Sequence, residues 1–275
     1  MTNYQKKYLK YKQKYLNLKN LKNNQSGGTH TCSMCSGDSC LKTIHCYQYQ
    51  ISQIPDSSIQ INQTIQGDES KKSELIIIPG FSDSSYNRNY KSLFKFYQHK
   101  LNPMEFKKIH LVKFQDDDIF SIRKLHLSFF DADNKIIDPI LENNLYQKCA
   151  QIIKSKLDSE SLYTILAKSA GGGVGIYLSE LIPQQIHKLL LFAPGAEFVN
   201  MDLKILSIDN SKVTVGWNID DTKVPMGKIW PKLSIVLPNT KVLTYTKDSY
   251  IDPTTQKPED TQHEINSKFI VQIIE

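Results

Sequence analysis

Residues 162–175 read LYTILAKSAGGGVG, and this stretch decides the fold. Leu162 to Ala167 is an apolar run of the length and composition of a buried strand. Ser169 follows, with Ala167 and Gly171 two residues to either side. Gly171, Gly172 and Gly173 then open a helical pattern through Ile176, Tyr177 and Leu181. Strand, serine at a tight turn, then helix is the layout that lifts a nucleophilic serine onto a strained turn. Small flanking residues are required because the turn leaves no room for side chains two positions away. The motif is A-K-S-A-G, with alanine at the first small position. A glycine-rich turn that cradles a phosphate, or binds nothing, has the same local pattern.

Outward from this stretch, apolar runs alternate with helical patterns. Glu74 to Ile78 is continuous and ends in Pro79-Gly80; Ile109 to Phe114 and Ile186 to Ala193 are of the same kind. Such runs belong to strands covered on both faces. Helical spacing marks Tyr90 to Leu101, Pro139 to Leu157, 172–182 and, with Pro231 as an obstacle, Val224 to Leu237. The expectation is an α/β fold with a mostly parallel sheet and helices on both faces. Alternation in His45 to Ile51 and Ile59 to Ile65 predicts two antiparallel strands. Residues 125–137 read as a hairpin or as a loop over the site. Ile205 to Ile208 and Val213 to Trp217 flank Asp209 to Lys212, which predicts a β-hairpin insertion within 201–238. Lys241 to Thr246 and Phe269 to Ile274 read as the last two strands.

The formal net charge is +6, but residues 1–28 hold seven lysines and no acid, so residues 29–275 carry −1. The basicity is a property of the tail, and composition gives the main domain no nucleic-acid signature. No apolar run approaches the roughly 20 residues of a transmembrane helix. The basic N-terminus has no apolar core or small-residue cleavage site, so a classical secretory signal is not expected. In residues 4–22, Tyr4, Tyr8, Tyr11, Tyr15 and Leu18 form one face of an amphipathic helix opposite the lysines. That face suits a partner helix or an anionic membrane surface, or serves only solubility. Residues 25–28 read as a linker. Cys32, Cys35, Cys40 and His45, in the 29–42 segment and just beyond, are spaced C-x2-C-x4-C-x4-H. This is similar to a zinc knuckle with its last two ligand types exchanged; a polar linker with free thiols is the alternative, with no cofactor. Cysteine usage fits a reducing compartment.

The order of elements over 43–275 resembles an α/β-hydrolase core. Three motifs carry the resemblance: the Ser169 elbow, Pro79-Gly80-Phe81-Ser82-Asp83 after the first buried parallel strand, and Asp248-Ser249-Tyr250-Ile251-Asp252-Pro253 after the penultimate strand. The resemblance implies Ser169 as nucleophile, Phe81 and Ala170 N–H groups as the oxyanion hole, and Asp248 as the acid, with Asp252 nearby. The family's histidine follows its last strand. Here His263 precedes the run 269–274, so either it serves as the base through a shortened connection or the triad is incomplete. His99, His110 and His187 read as structural, with His126 in reserve. Lys168 reads as a solvated lysine, or as a preference for an anionic substrate. Residues 4–28 also resemble the KYLKYKxKYLxLK…GG leader of proteins from giant DNA viruses of amoebae, which implies a viral origin and a cytoplasmic or virion location.

Two functions follow as expectations. One is a serine hydrolase of small or lipid-like esters, thioesters or amides, with Trp217 and the 119–138 loop over its pocket. The other is a non-catalytic binding or virion protein on the same scaffold. A nucleic-acid module built from residues 1–46 is a weaker third.

Overall fold

A seven-stranded sheet organises the computed structural model, which describes residues 44–81, 105–115, 121–130, 136–195, 207–246, 250–251, 258–259 and the single residues 263, 265 and 269. All but the first three belong to one compact unit, Tyr47–Glu275. The strands are β1 (Ile59–Gln66), β2 (Ser73–Ile78), β3 (Lys108–Phe114), β4 (Leu162–Lys168), β5 (Ile186–Phe192), β6 (Val213–Asn218) and β7 (Lys241–Tyr245), in the spatial order β1-β3-β2-β4-β5-β6-β7. Only β1 runs antiparallel, against β3; the other five pairings are parallel. A short antiparallel pair, β8 (Tyr250–Ile251) and β9 (Pro258–Glu259), stands apart.

The central strands are apolar throughout because they are covered on both sides: β2 is buried at every position and β4 at all but its first. The two coverings can be read from the register. Ile165 pairs with Leu189 and Ala167 with Leu191 on one face. There the helix α4 (Ala170–Leu181) comes so close that a Cβ on Gly175 would lie 2.8 Å from the Ala167 Cβ. Phe192 and Gly216 pair on the opposite face, and Phe269 covers them, its ring 5.2 Å from that of Phe192. The helix α3 (Pro139–Lys154) packs on α4 with Asp138 as its N-cap, its carboxylate accepting from the Ile140 N–H. Pro139 sits at the first helical position, where its missing N–H costs nothing.

Four readings of the sequence change. Residues 45–51 lie in a helix, α1 (Ile44–Ser52), and not in a strand. Tyr47, Ile51 and Ile54 are buried while Tyr49 is exposed, so the four-then-three spacing governs and the alternation is incidental. Residues 122–127 form the short helix α2 (Ile122–Leu127), and Phe130 and Ile136 form an antiparallel bridge. Val213–Asn218 is a full strand of the main sheet, parallel to both neighbours, and not an arm of a hairpin insertion. Asp209 to Lys212 is the turn that leads into it, with the Asp209 carboxylate accepting from the Ser211 N–H. Trp217 is fully buried within that strand, so it cannot cover a pocket. Phe269 is helical, so the expected last strand does not begin there; residues 270–274 lie outside the described residues. The helix α5 (Met226–Val236) does form, with Pro231 inside it. The tail 1–28, the 29–42 linker with Cys32, Cys35 and Cys40, and the Tyr90–Leu101 helix lie outside the described residues. His45 falls within α1, away from the extended chain expected for it. Among the described residues no helix is long and apolar enough to cross a membrane, and no cluster of three or more metal-ligating side chains occurs.

Candidate active site

Ser169 sits between β4 and α4 with φ 53° and ψ −130°. An L-residue with positive φ is strained, and the strain persists only where surrounding contacts impose it. Here the Ser169 N–H donates to Phe192 O (3.1 Å), and Ser169 O accepts from the N–H groups of Gly172 and Gly195 (2.8 Å each). Gly171 explains the small-residue rule in atoms. A Cβ there would lie 2.3 Å from Pro79 O and 2.5 Å from Ile78 O. The end of β2 therefore abuts the elbow backbone, which brings the loop carrying Phe81 against the turn carrying Ala170. Ala170 is the first residue of α4, so its N–H has no acceptor within the helix and lies at the positive end of the helix dipole. Phe81 is buried, its ring edge-on to those of Phe114 and His126.

Lys168 is buried, contrary to the solvated side chain the sequence suggested. Strand alternation places it on the face of β4 shared with Phe192, which is its register partner.

His263 does find a carboxylate. Its Nδ1 lies 2.7 Å from Oδ2 of Asp221. Asp221 stands three residues beyond β6, its side chain fully buried, and its Oδ1 accepts from the Lys223 and Val224 N–H groups at 2.9 Å each. Trp217 ties down the same turn by donating Nε1–H to Val224 O (2.9 Å). A carboxylate only accepts, so Nδ1 of His263 is the donor in this pair. His263 is mostly enclosed, 12% of its side chain being accessible.

The strand count accounts for this pairing. Because 213–218 is a strand of the sheet, β6 and β7 are the last two strands of the seven-stranded sheet among the described residues. Asp221 follows β6, and His263 follows β7. Asp248 and Asp252 lie outside the described residues. The missed signal was Val213-Thr214-Val215-Gly216-Trp217 followed by Ile219-Asp220-Asp221: an apolar strand with acids just past its carboxyl end.

The other histidines divide as follows. His110 pairs with the buried Glu74 (2.6 Å), which lies near the amino ends of the parallel strands, away from the elbow. His187 opens β5 at that same end; burial, then the charges of Lys188, Lys212 and Lys72, lower its pKa. His99 lies outside the described residues. His126 contacts Glu142 near Phe81 and is taken up below.

No family model matches the sequence, and no curated protein matches it. Among solved structures the chain is similar to esterase PE8, with 13% identity, 78% of this chain and 99% of that one covered, and a TM-score of 0.49. It is also similar to a phospholipase/carboxylesterase from Dyadobacter fermentans (11% identity, 79% and 94% covered, TM-score 0.44) and to a predicted CIB-like hydrolase from Thermoplasma acidophilum (14% identity, 74% and 86% covered, TM-score 0.43).

Proposed function

We propose that this protein is a serine hydrolase of the carboxylic ester class, with Ser169 as nucleophile, His263 as base and Asp221 as the residue that orients it. The observation that carries the reading is the His263–Asp221 pair. It is built from the segments that follow β6 and β7, at the sheet edge where β4 delivers Ser169 in its strained turn.

A serine hydroxyl is a weak nucleophile and needs a base. In the proposed cycle Ser169 Oγ attacks the substrate carbonyl carbon as its proton passes to His263 Nε2. The Asp221 carboxylate holds the ring and compensates the imidazolium that forms. The N–H groups of Ala170 and Phe81 receive the negative oxygen of the tetrahedral intermediate. Collapse expels the alcohol, which takes the proton from His263. Water, deprotonated by the same histidine, then releases the acid and restores Ser169. The substrate class is a small or lipid-like ester, with thioesters and amides open to the same chemistry.

A fluorophosphonate probe tests this directly, because phosphonylation needs an activated serine. Wild type is expected to label, Ser169→Ala not at all, and His263→Ala only slowly. A folded wild-type protein that does not label through Ser169 refutes the reading and leaves a non-catalytic scaffold.

A further inference from the structure

Beside the elbow, three polar side chains that the proposed cycle does not use cluster together. Glu142 and Tyr146 stand one turn apart on α3, and His126 comes from α2. Glu142 Oε1 lies 2.9 Å from His126 Nε2 and accepts a hydrogen bond from the Tyr146 hydroxyl. Glu142 is 3% exposed, and its other oxygen, Oε2, has no partner. A bare oxygen on a buried carboxyl group is costly, so packing alone does not account for glutamate here.

Tyr146 connects this cluster to the elbow from three directions. Its hydroxyl lies 2.7 Å from Gly195 O, and the Gly195 N–H donates to Ser169 O at 2.8 Å. Its ring lies so close to α4 that a Cβ on Gly173 would come within 2.5 Å of it. The ring also packs on Phe81 at 5.8 Å between centroids, while His126 meets Phe81 edge-on at 5.1 Å. One side chain therefore touches the residue whose N–H fixes Ser169 O, the helix that begins with Ala170, and the residue expected to supply the second oxyanion donor.

We propose that Tyr146, held by Glu142 and His126, is a positioning residue that sets the spacing between the Ser169 elbow and the Phe81 loop. This rests on the serine hydrolase reading. Tyr146 acts through Gly195 and Phe81, so its removal should slow the chemical step while leaving probe affinity in place.

Tyr146→Phe keeps the ring and deletes the hydroxyl. Fluorophosphonate labelling, resolved into the maximal rate constant and the half-saturating probe concentration, is expected to show about a tenfold lower rate constant and a concentration within twofold of wild type. The backbone amide resonances of Gly195 and Ala170 are expected to shift in 15N–1H spectra. A purely structural hydroxyl would lower the melting temperature but leave the rate constant per folded molecule unchanged. An unchanged rate constant, or unmoved Gly195 and Ala170 resonances, overturns the assignment. Failure of wild type to label through Ser169 refutes the hydrolase reading instead, and the amide resonances alone then decide the role of Tyr146.

Discussion

Gly171→Ala is the sharpest probe of how the elbow is built. Its added Cβ would meet Pro79 O at 2.3 Å, Ile78 O at 2.5 Å and Pro79 C at 2.9 Å, where ordinary contact begins at 3.4 Å. All three atoms are backbone, so no rotamer can relieve the overlap. Either α4 or the end of β2 must retreat by about 1 Å, and both are packed in the core. Overpacking of this kind costs about 3 kcal/mol. In a unit of this size that is a fall of about 6–12 °C in melting temperature. The retreat also separates the Phe81 and Ala170 amides, so labelling of Ser169 should slow by about 100-fold at temperatures where the variant is folded. Gly195→Ala provides the graded comparison. Its Cβ would come only to 3.3 Å from Ala170 N, a misfit of about a tenth of an ångström and worth less than about 1 kcal/mol. Thermal denaturation and timed labelling of the two variants measure both effects. A Gly171→Ala protein that melts within about 2 °C of wild type and labels at the wild-type rate would show that β2 and the elbow are not in contact, and the placement of Phe81 opposite Ala170 would fall with it.

Three further outcomes are expected. Gly227→Ala, at a position in α5 with nothing within 4 Å of the new Cβ, should raise stability by about 0.5–1 kcal/mol through helix propensity alone; a fall in melting temperature would contradict the open surroundings. Asp221→Asn should slow labelling by about 10³–10⁴-fold with the fold retained, because Asn cannot hold the His263 ring in the required tautomer; a larger loss in Asp248→Asn returns the orienting role to Asp248. His187 has its folded pKa lowered, first by burial and then by neighbouring lysines, so the unfolded chain binds its proton more readily. Its contribution to stability is present above the unfolded value of about 6.5 and lost as pH falls through the lower folded value. Urea denaturation from pH 7 to pH 5 should therefore show wild type losing more stability than His187→Asn, and parallel curves would refute the shift.

The elbow was legible because its pattern is local: strand, serine, small residues and helix fall within fourteen consecutive residues, although the close contacts at Gly171, Gly172 and Gly173 are made to the end of β2, Pro194 and Tyr146. The acid was not legible, and the reason is topological. Val213 to Trp217 is a strand by composition, but whether a strand joins the main sheet or pairs with its own neighbour depends on edges that sequence pattern does not label. Reading it as a hairpin arm removed one strand from the count and placed the expected acid after Lys241 to Thr246, at Asp248, which lies outside the described residues. His263 precedes the last strand only if 269–274 is a strand; Phe269 is helical, and residues 270–274 lie outside the described residues. In the proposed triad the acid is Asp221, three residues past β6, and His263 follows β7. Restoring β6 to the sheet also changes what Trp217 is for. An exposed tryptophan on an insertion would belong to the substrate, whereas a buried one bonded to Val224 O fixes the turn in which the Lys223 and Val224 amides grip Asp221. The expectation of Asp248 and the misread tryptophan thus share one origin. Tyr146 was illegible for a different reason: its role depends on contacts with Gly195, Gly173 and Phe81, which come from three separate segments, and only packing brings them together.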